Sequence, residues 1–155
     1  MTTKLLSIIK YILANYPYPN ELSASRLTKM IYLADWKEAI INGKQLTDIN
    51  WFFNHHGPYN DEILHEAKKD KNISVTVKIN IFGAKKTHIE LHNNEKPINI
   101  DDESSKILNF VMDATKDKNY TDFIKLVYST YPVISSKKYS TLDLPRKAKE
   151  YKELS

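Results

Sequence analysis

No cysteine occurs in the 155 residues, which removes disulfide frameworks, thiolate metal sites and cysteine nucleophiles together. Glycine is nearly as scarce, with Gly43, Gly57 and Gly83 alone. A phosphate-cradling loop needs several glycines ahead of a helix, and three scattered ones do not supply it. No run of 18 or more apolar residues is present, so no membrane-spanning helix is expected. The first eleven residues pair a lysine with a short apolar stretch. Ser7, Lys10 and Tyr11 interrupt that stretch and no small-residue cleavage site follows, so the expected location is the cytoplasm rather than the secretory route. Internal repeats and low-complexity blocks are also missing.

What is present fits one folded domain over residues 1–155, with 41% hydrophobic and 27% charged residues. The net charge of +4 permits a nucleic-acid or acidic-protein partner without requiring one. Most of the excess sits in a basic tail from about residue 137 to 155. There Lys137, Lys138, Arg146, Lys147, Lys149 and Lys152 face Asp143, Glu150 and Glu153. That tail reads as a solvated helix face or as a contact for a phosphate or a partner.

Hydrophobic spacing organises the chain as α+β: helices, a small antiparallel sheet, then helices. Leu5, Ile8, Ile9, Ile12 and Leu13 recur at helical spacing, with Thr2 or Thr3 as cap, and Tyr16-Pro-Tyr-Pro19 ends the helix. Ser23 caps a long second helix with Leu27, Met30, Ile31, Ala34 and Ile41 on one face, stopped at Asn42-Gly43. Leu46 to Phe53 is a short helix or an extended connection. Asn60 to Lys69 is helical, with Ile63, Leu64 and Ala67 inward. Ile73, Val75, Val77, Ile79 and Ile81 then alternate with polar residues, the pattern of a half-buried strand. Phe82 to Lys86 forms a turn, and Ile89 and Leu91 lie on a second strand. This hairpin, about residues 73–92, must lie on helices to be stable. Asp101 or Asp102 caps a helix carrying Ile107, Leu108, Val111 and Met112. Thr121 caps the next, with Phe123, Ile124, Leu126 and Val127, and Thr130-Tyr131-Pro132 stops it. Pro145 suits the first turn of a final charged helix.

Catalytic constellations are absent. His55 and His56 are adjacent and diverge; His88 and His92 lie four apart on a strand, about 13 Å by strand rise. No His-Glu-x-x-His motif occurs, so neither a metal nor any other cofactor is expected. No serine sits in a Gly-x-Ser-x-Gly elbow. Asp101-Asp102-Glu103 is better explained as a helix cap favoured by the macrodipole than as an acid–base pair. A helix-turn-helix reading would put Ser23, Ser25, Arg26 and Lys29 in a DNA groove, but the preceding Tyr-Pro-Tyr-Pro-Asn link is long and stiff for that motif.

Two features point to recognition instead. Lys29, Tyr32 and Trp36 follow one another at three and four residues and form one helical stripe. Its rings are either an interaction hot spot or core members packing on Trp51 and Phe52. Trp51 to Ile63 concentrates aromatics, His55 and His56, and a Gly57-Pro58 corner whose backbone path is tightly restricted.

Leu27-x-Lys29-x-x-Tyr32-Leu33-Ala34-Asp35, then Gly43-x-x-Leu46, then Trp51 and Gly57-Pro58-Tyr59, resembles the Panacea domain, also called SocA-like or DUF4065. The match is clearest over residues 22–70 and softer to Pro132; Tyr59 stands where an aliphatic residue is expected. The resemblance implies an antitoxin from a bacterial or prophage toxin–antitoxin pair, without catalytic activity, that neutralises a cognate toxin by direct protein binding. It further implies toxins of differing folds, among them nucleotide-using enzymes, some acting on tRNA. By carry-over, Lys29, Tyr32, Asp35, Trp51, Gly57 and Pro58 are signature positions. The expected toxin-binding set is Lys29, Tyr32, Asp35, Trp36, Trp51, His56 and Tyr59, with Gly43, Gly57 and Pro58 structural. A DNA- or RNA-binding regulator is the alternative reading, with nucleic acid otherwise a secondary partner.

Overall fold

The computed structural model of the protein describes residues 3–92 and 98–154. Its architecture is α+β and mainly helical, built around one central helix. Helix α1 (Lys4–Asn15) is capped by Thr3, whose side chain accepts from the Leu6 amide; Thr2 lies outside the described residues. Helix α2 (Ala24–Asn42) starts at Ser23, whose hydroxyl accepts from the Arg26 amide, and stops at Gly43 in the left-handed conformation (φ 75°). Only glycine adopts that conformation at no steric cost.

Helix α2 is the axle of the molecule. Leu27, Met30, Ile31, Tyr32, Ala34 and Ala39 are fully buried, and so are Arg26, Lys29, Asp35 and Glu38 on its other faces. Burial right around a helix is what a core position requires. Ile41, expected on the inner face, is exposed in the last turn of α2.

After α2 the chain is extended, not helical. Strands β1 (Trp51–Asn54) and β2 (Gly57–Tyr59) form a hairpin closed by His55 and His56, and β5 (Thr141–Leu142) completes a sheet of order β2-β1-β5. Pro58 is accommodated because β2 is an edge strand. Helix α3 (Glu62–Lys69) follows, with Ile63 and Ala67 buried and Leu64 partly so.

Strands β3 (Ile73–Ile79) and β4 (Lys85–Leu91) pair in register from Ile73↔Leu91 to Ile79↔Lys85. The expectation of a half-buried strand holds only at its start. Ile73 is buried and Val75 partly so, whereas Val77 and Ile79 are exposed, and Ile81, beyond the strand, is 93% exposed. The far half of the hairpin projects past the helices, so its alternating apolar residues have nothing to pack on.

Helix α4 (Asp102–Thr115) is capped by Asp101. Helix α5 (Tyr120–Tyr128) is capped by Asn119 rather than Thr121, which lies inside it. The Thr130-Tyr131-Pro132 break opens a short helix α6 (Tyr131–Ile134), with Pro132 in its first turn. Helix α7 (Leu144–Glu153) carries Pro145 in its first turn and buries Leu144 and Ala148. Tyr151 of α7 packs edge-on against Trp36 at 5.8 Å, so the basic tail is docked on α2. Among the described residues no helix is long and apolar enough to cross a membrane.

Candidate functional site: a basic groove beside a buried polar hub

The residues singled out by sequence divide into an interior set and a surface set. Asp35 is fully buried and is the hub of the interior set. One carboxylate oxygen accepts the Thr47 amide at 3.0 Å. The other accepts the Thr47 hydroxyl at 2.5 Å, the Trp51 indole N–H at 2.9 Å and the Gln45 amide at 3.3 Å. Burial pushes the Asp35 carboxyl up to about 6, against these hydrogen bonds, which pull it down. The carboxylate thereby stitches residues 45–51 to α2. Trp51 meets Tyr32 edge-on at 5.5 Å, and the Tyr32 hydroxyl shares a 2.8 Å hydrogen bond with Thr130. Tyr32, Asp35, Trp36 and Trp51 are each less than a tenth exposed, so all four are core members. Gly43 ends α2, as described above.

Gly57 and Pro58 are buried beside the same helix. Gly57 has φ of 104°, and a Cβ built there would lie 3.1 Å from Tyr128 Cε1 and 3.5 Å from Lys29 Cε. A side chain there is strained by the backbone conformation and would also press the Tyr128 ring aside by a few tenths of an ångström.

Lys29, His56 and Tyr59 line one groove of about 750 Å³. It is framed by the first turns of α2, the β1–β2 hairpin, Leu64 of α3, Lys85 to Thr87 of β4 and Lys118 to Tyr120 ahead of and at the start of α5. Its charge is one-sided: Arg26, Lys29, Lys85, Lys86 and Lys118 against Glu21. Arg26 is internally satisfied. It donates from Nε to the Tyr16 hydroxyl at 3.0 Å and from Nη2 to the Thr115 and Lys118 carbonyls at 2.7 and 2.9 Å, and it stacks on Phe123 at 4.6 Å. Arg26, Lys29 and Ser23 are buried, which overturns the helix-turn-helix reading that set them in a DNA groove.

Lys29 differs from Arg26. It is 3% exposed, yet its ammonium donates only to Ser25 Oγ, at 3.2 Å, and no carboxylate pairs with it among the described residues. Ser25 Oγ in turn shares a 2.6 Å hydrogen bond with the Tyr120 hydroxyl. Burial lowers the Lys29 ammonium from 10.5 to about 8, leaving it mostly charged at neutral pH. Between those values the unfolded chain binds the proton that the folded chain has lost, so this residue's contribution to stability rises with pH there. The stability advantage of a Lys29→Met variant over the wild type is therefore expected to be level below pH 8. It should shrink by about 3 kcal/mol toward pH 10.5. Urea unfolding of both proteins across that range measures it; a constant difference would show that the ammonium keeps its solvation.

His55 and His56 are exposed on the two-residue turn, with rings 4.4 Å apart, and His55 Nδ1 lies 3.4 Å from the Tyr139 hydroxyl. Among the described residues no group of three or more His, Cys, Asp or Glu side chains comes together as a metal would need. Sequence reasoning missed Ser25 as a partner of Lys29, and Lys85, Lys86, Lys118 and Tyr120 as walls of the groove. Lys85 and Lys86, adjacent within the expected turn and placed by the structure at the start of β4, were the one local hint.

Comparison with curated proteins and with solved structures gives no match. A family model described as "Antitoxin SocA-like, Panacea domain" matches residues 27–132. That span runs from the second turn of α2 through Pro132. It takes in the Asp35 hub, the Gly57 corner and most of the groove, and stops short of β5 and α7. With more than half of its length matched, the chain belongs to the SocA-like antitoxin family, the Panacea domain.

Proposed function

We propose that the protein neutralises a cognate toxin by binding it directly, with the groove and its rim as the docking face. The observation that carries this reading is that three residues of the expected toxin-binding set, Lys29, His56 and Tyr59, converge on one concave surface. The rest of that set is interior. The hairpin that forms one wall also presents Val77, Ile79, Ile81 and Phe82 to solvent. Stoichiometric inhibition needs tight binding, and tight binding rests on desolvated anchors rather than a diffuse charged contact. The exposed apolar tip and Tyr59 supply anchors; the lysines supply steering toward an acidic surface. The mechanism is occlusion: a rigid body covers the toxin's working surface and performs no turnover of its own. The partner is a toxin acting on tRNA or nucleotides, met in the cytoplasm.

Co-expression with the product of the neighbouring reading frame tests this. Growth should be rescued and the two chains should co-purify. A His56→Asp, Tyr59→Ala double variant, altered only on the rim, should lose at least tenfold in affinity with an unchanged thermal midpoint. Failure of the wild-type chain to rescue growth or to co-purify would overturn the reading. Alanine at Tyr32 or Trp36 is uninformative here, because loss of either removes core packing.

A further inference from the structure

We propose that the groove is a receptor for an acidic segment of the partner protein, with one Asp or Glu carboxylate seated on the Lys29 ammonium. This rests on the antitoxin reading and names the chemistry of the partner. The first support is the contrast among buried charges along α2. Asp35 is surrounded by donors and Arg26 by acceptors, whereas Glu38 has one neutral amide and Lys29 one neutral hydroxyl, and of these two only Lys29 lines the groove. An ammonium taken out of water without a counter-charge is costly, and its stem could be replaced by any unbranched apolar chain. Its stem packs beside Gly57 and the residue borders a cavity, so the missing carboxylate has a place to arrive.

The second support is independent and lies in the groove wall. Lys86 sits directly opposite Lys78 across the β3–β4 ladder, and Lys85 opposite Ile79. Like charges directly opposite on a hairpin destabilise it. The folded chain thus holds Lys86 opposite a like charge on the strand that borders the groove, with Lys118 on another wall. The N-terminal turns of α2 also frame it, and that end of a helix favours negative charge. Several separated cations fit several carboxylates along one segment better than a single chain terminus.

The shape selects protein over nucleic acid. Lys29 is 3% exposed and lines the groove together with Ser25, His56, Tyr59 and Tyr120. A single side chain enters a concave site to meet a buried ammonium; the convex backbone of a duplex does not. Phosphate recognition uses exposed cations that track the backbone, and Lys29 is not exposed.

The test uses the full chain and two probes: N-acetylated, C-amidated hexaglutamate and a dodecamer of deoxythymidine. NMR titration with hexaglutamate should shift signals of residues 23–29, 85–87 and 118–120 together. Lys29→Met should weaken hexaglutamate binding at least tenfold while its thermal midpoint is unchanged or higher, and Lys149→Met, on exposed α7, should bind as the wild type. Undiminished binding by Lys29→Met, or tighter binding of the oligonucleotide at the same residues, overturns the proposal. The toxin separates the two readings. A complex whose affinity is unchanged by Lys29→Met removes the carboxylate seat and leaves the antitoxin reading. A wild-type chain that ignores the toxin but takes hexaglutamate in the groove does the reverse.

Discussion

Asp35→Ala is expected to lose about 3–5 kcal/mol of unfolding free energy, since buried donors left without an acceptor cost about 1–3 kcal/mol each. The loss has a specific origin. Alanine leaves the Thr47 amide and hydroxyl and the Trp51 indole N–H without an acceptor in the buried interior. It also frees residues 45–51 from α2, so the entry to β1 loses its anchor. Asp35→Asn restores only part, because the carboxamide presents a donor to a ring of donors. Urea midpoints for the three proteins measure the order. With total stabilities of about 5–15 kcal/mol, the alanine variant stands near the threshold of folding. A loss under about 1 kcal/mol would show that Asp35 is not the hub.

Arg26→Ala is expected to cost about 3 kcal/mol or more and to loosen a different region. The guanidinium reaches the carbonyl of Thr115, the last residue of α4, and that of Lys118 in the link to α5. Carbonyls at a helix end have no partner within the helix, so Arg26 acts as a cap delivered from α2. Its removal also leaves a cavity against Phe123 and Tyr16. Arg26→Lys should recover less than half, since an ammonium does not span two carbonyls and a hydroxyl in the fork geometry of arginine. Amide exchange should accelerate in the last turn of α4 and in α5 before it does in α1. Uniform acceleration would point to general loosening instead.

These two residues mark where the sequence was and was not legible. Local signals were read well: Ser23 as a cap, Gly43 as a stop, Pro145 in the first turn of a helix, and caps narrowed to Thr2 or Thr3 and to Asp101 or Asp102, of which Thr3 and Asp101 serve, depend on neighbours within four residues. Asn119 displaced Thr121 because both residue types cap well and spacing alone did not choose between them. The β1–β2 hairpin went unseen because its turn is His55-His56 rather than an Asn-Gly type, and because proline within a strand argues against pairing unless the strand is an edge. The Lys29, Tyr32, Trp36 stripe stayed ambiguous for a longer-range reason. Whether a helix face is covered depends on Trp51, Thr130 and Tyr151, which lie 15 to more than 100 residues away. The same limit hid the groove, whose walls come from five separate stretches of chain.

The projecting end of the β3–β4 hairpin carries a cost in solution behaviour. Val77, Ile79, Ile81 and Phe82 form an unburied run on a two-stranded sheet whose β3 edge pairs with nothing else among the described residues. Such an edge is a template for stacking of identical chains and for aggregation. Lys78, Lys85 and Lys86 flank it as gatekeepers, so two copies approaching tip to tip meet the same positive charge. Salt screens that repulsion within roughly 10 Å at 0.1 M. The unaccompanied protein should therefore stay dispersed in dilute buffer and turn cloudy as ionic strength rises.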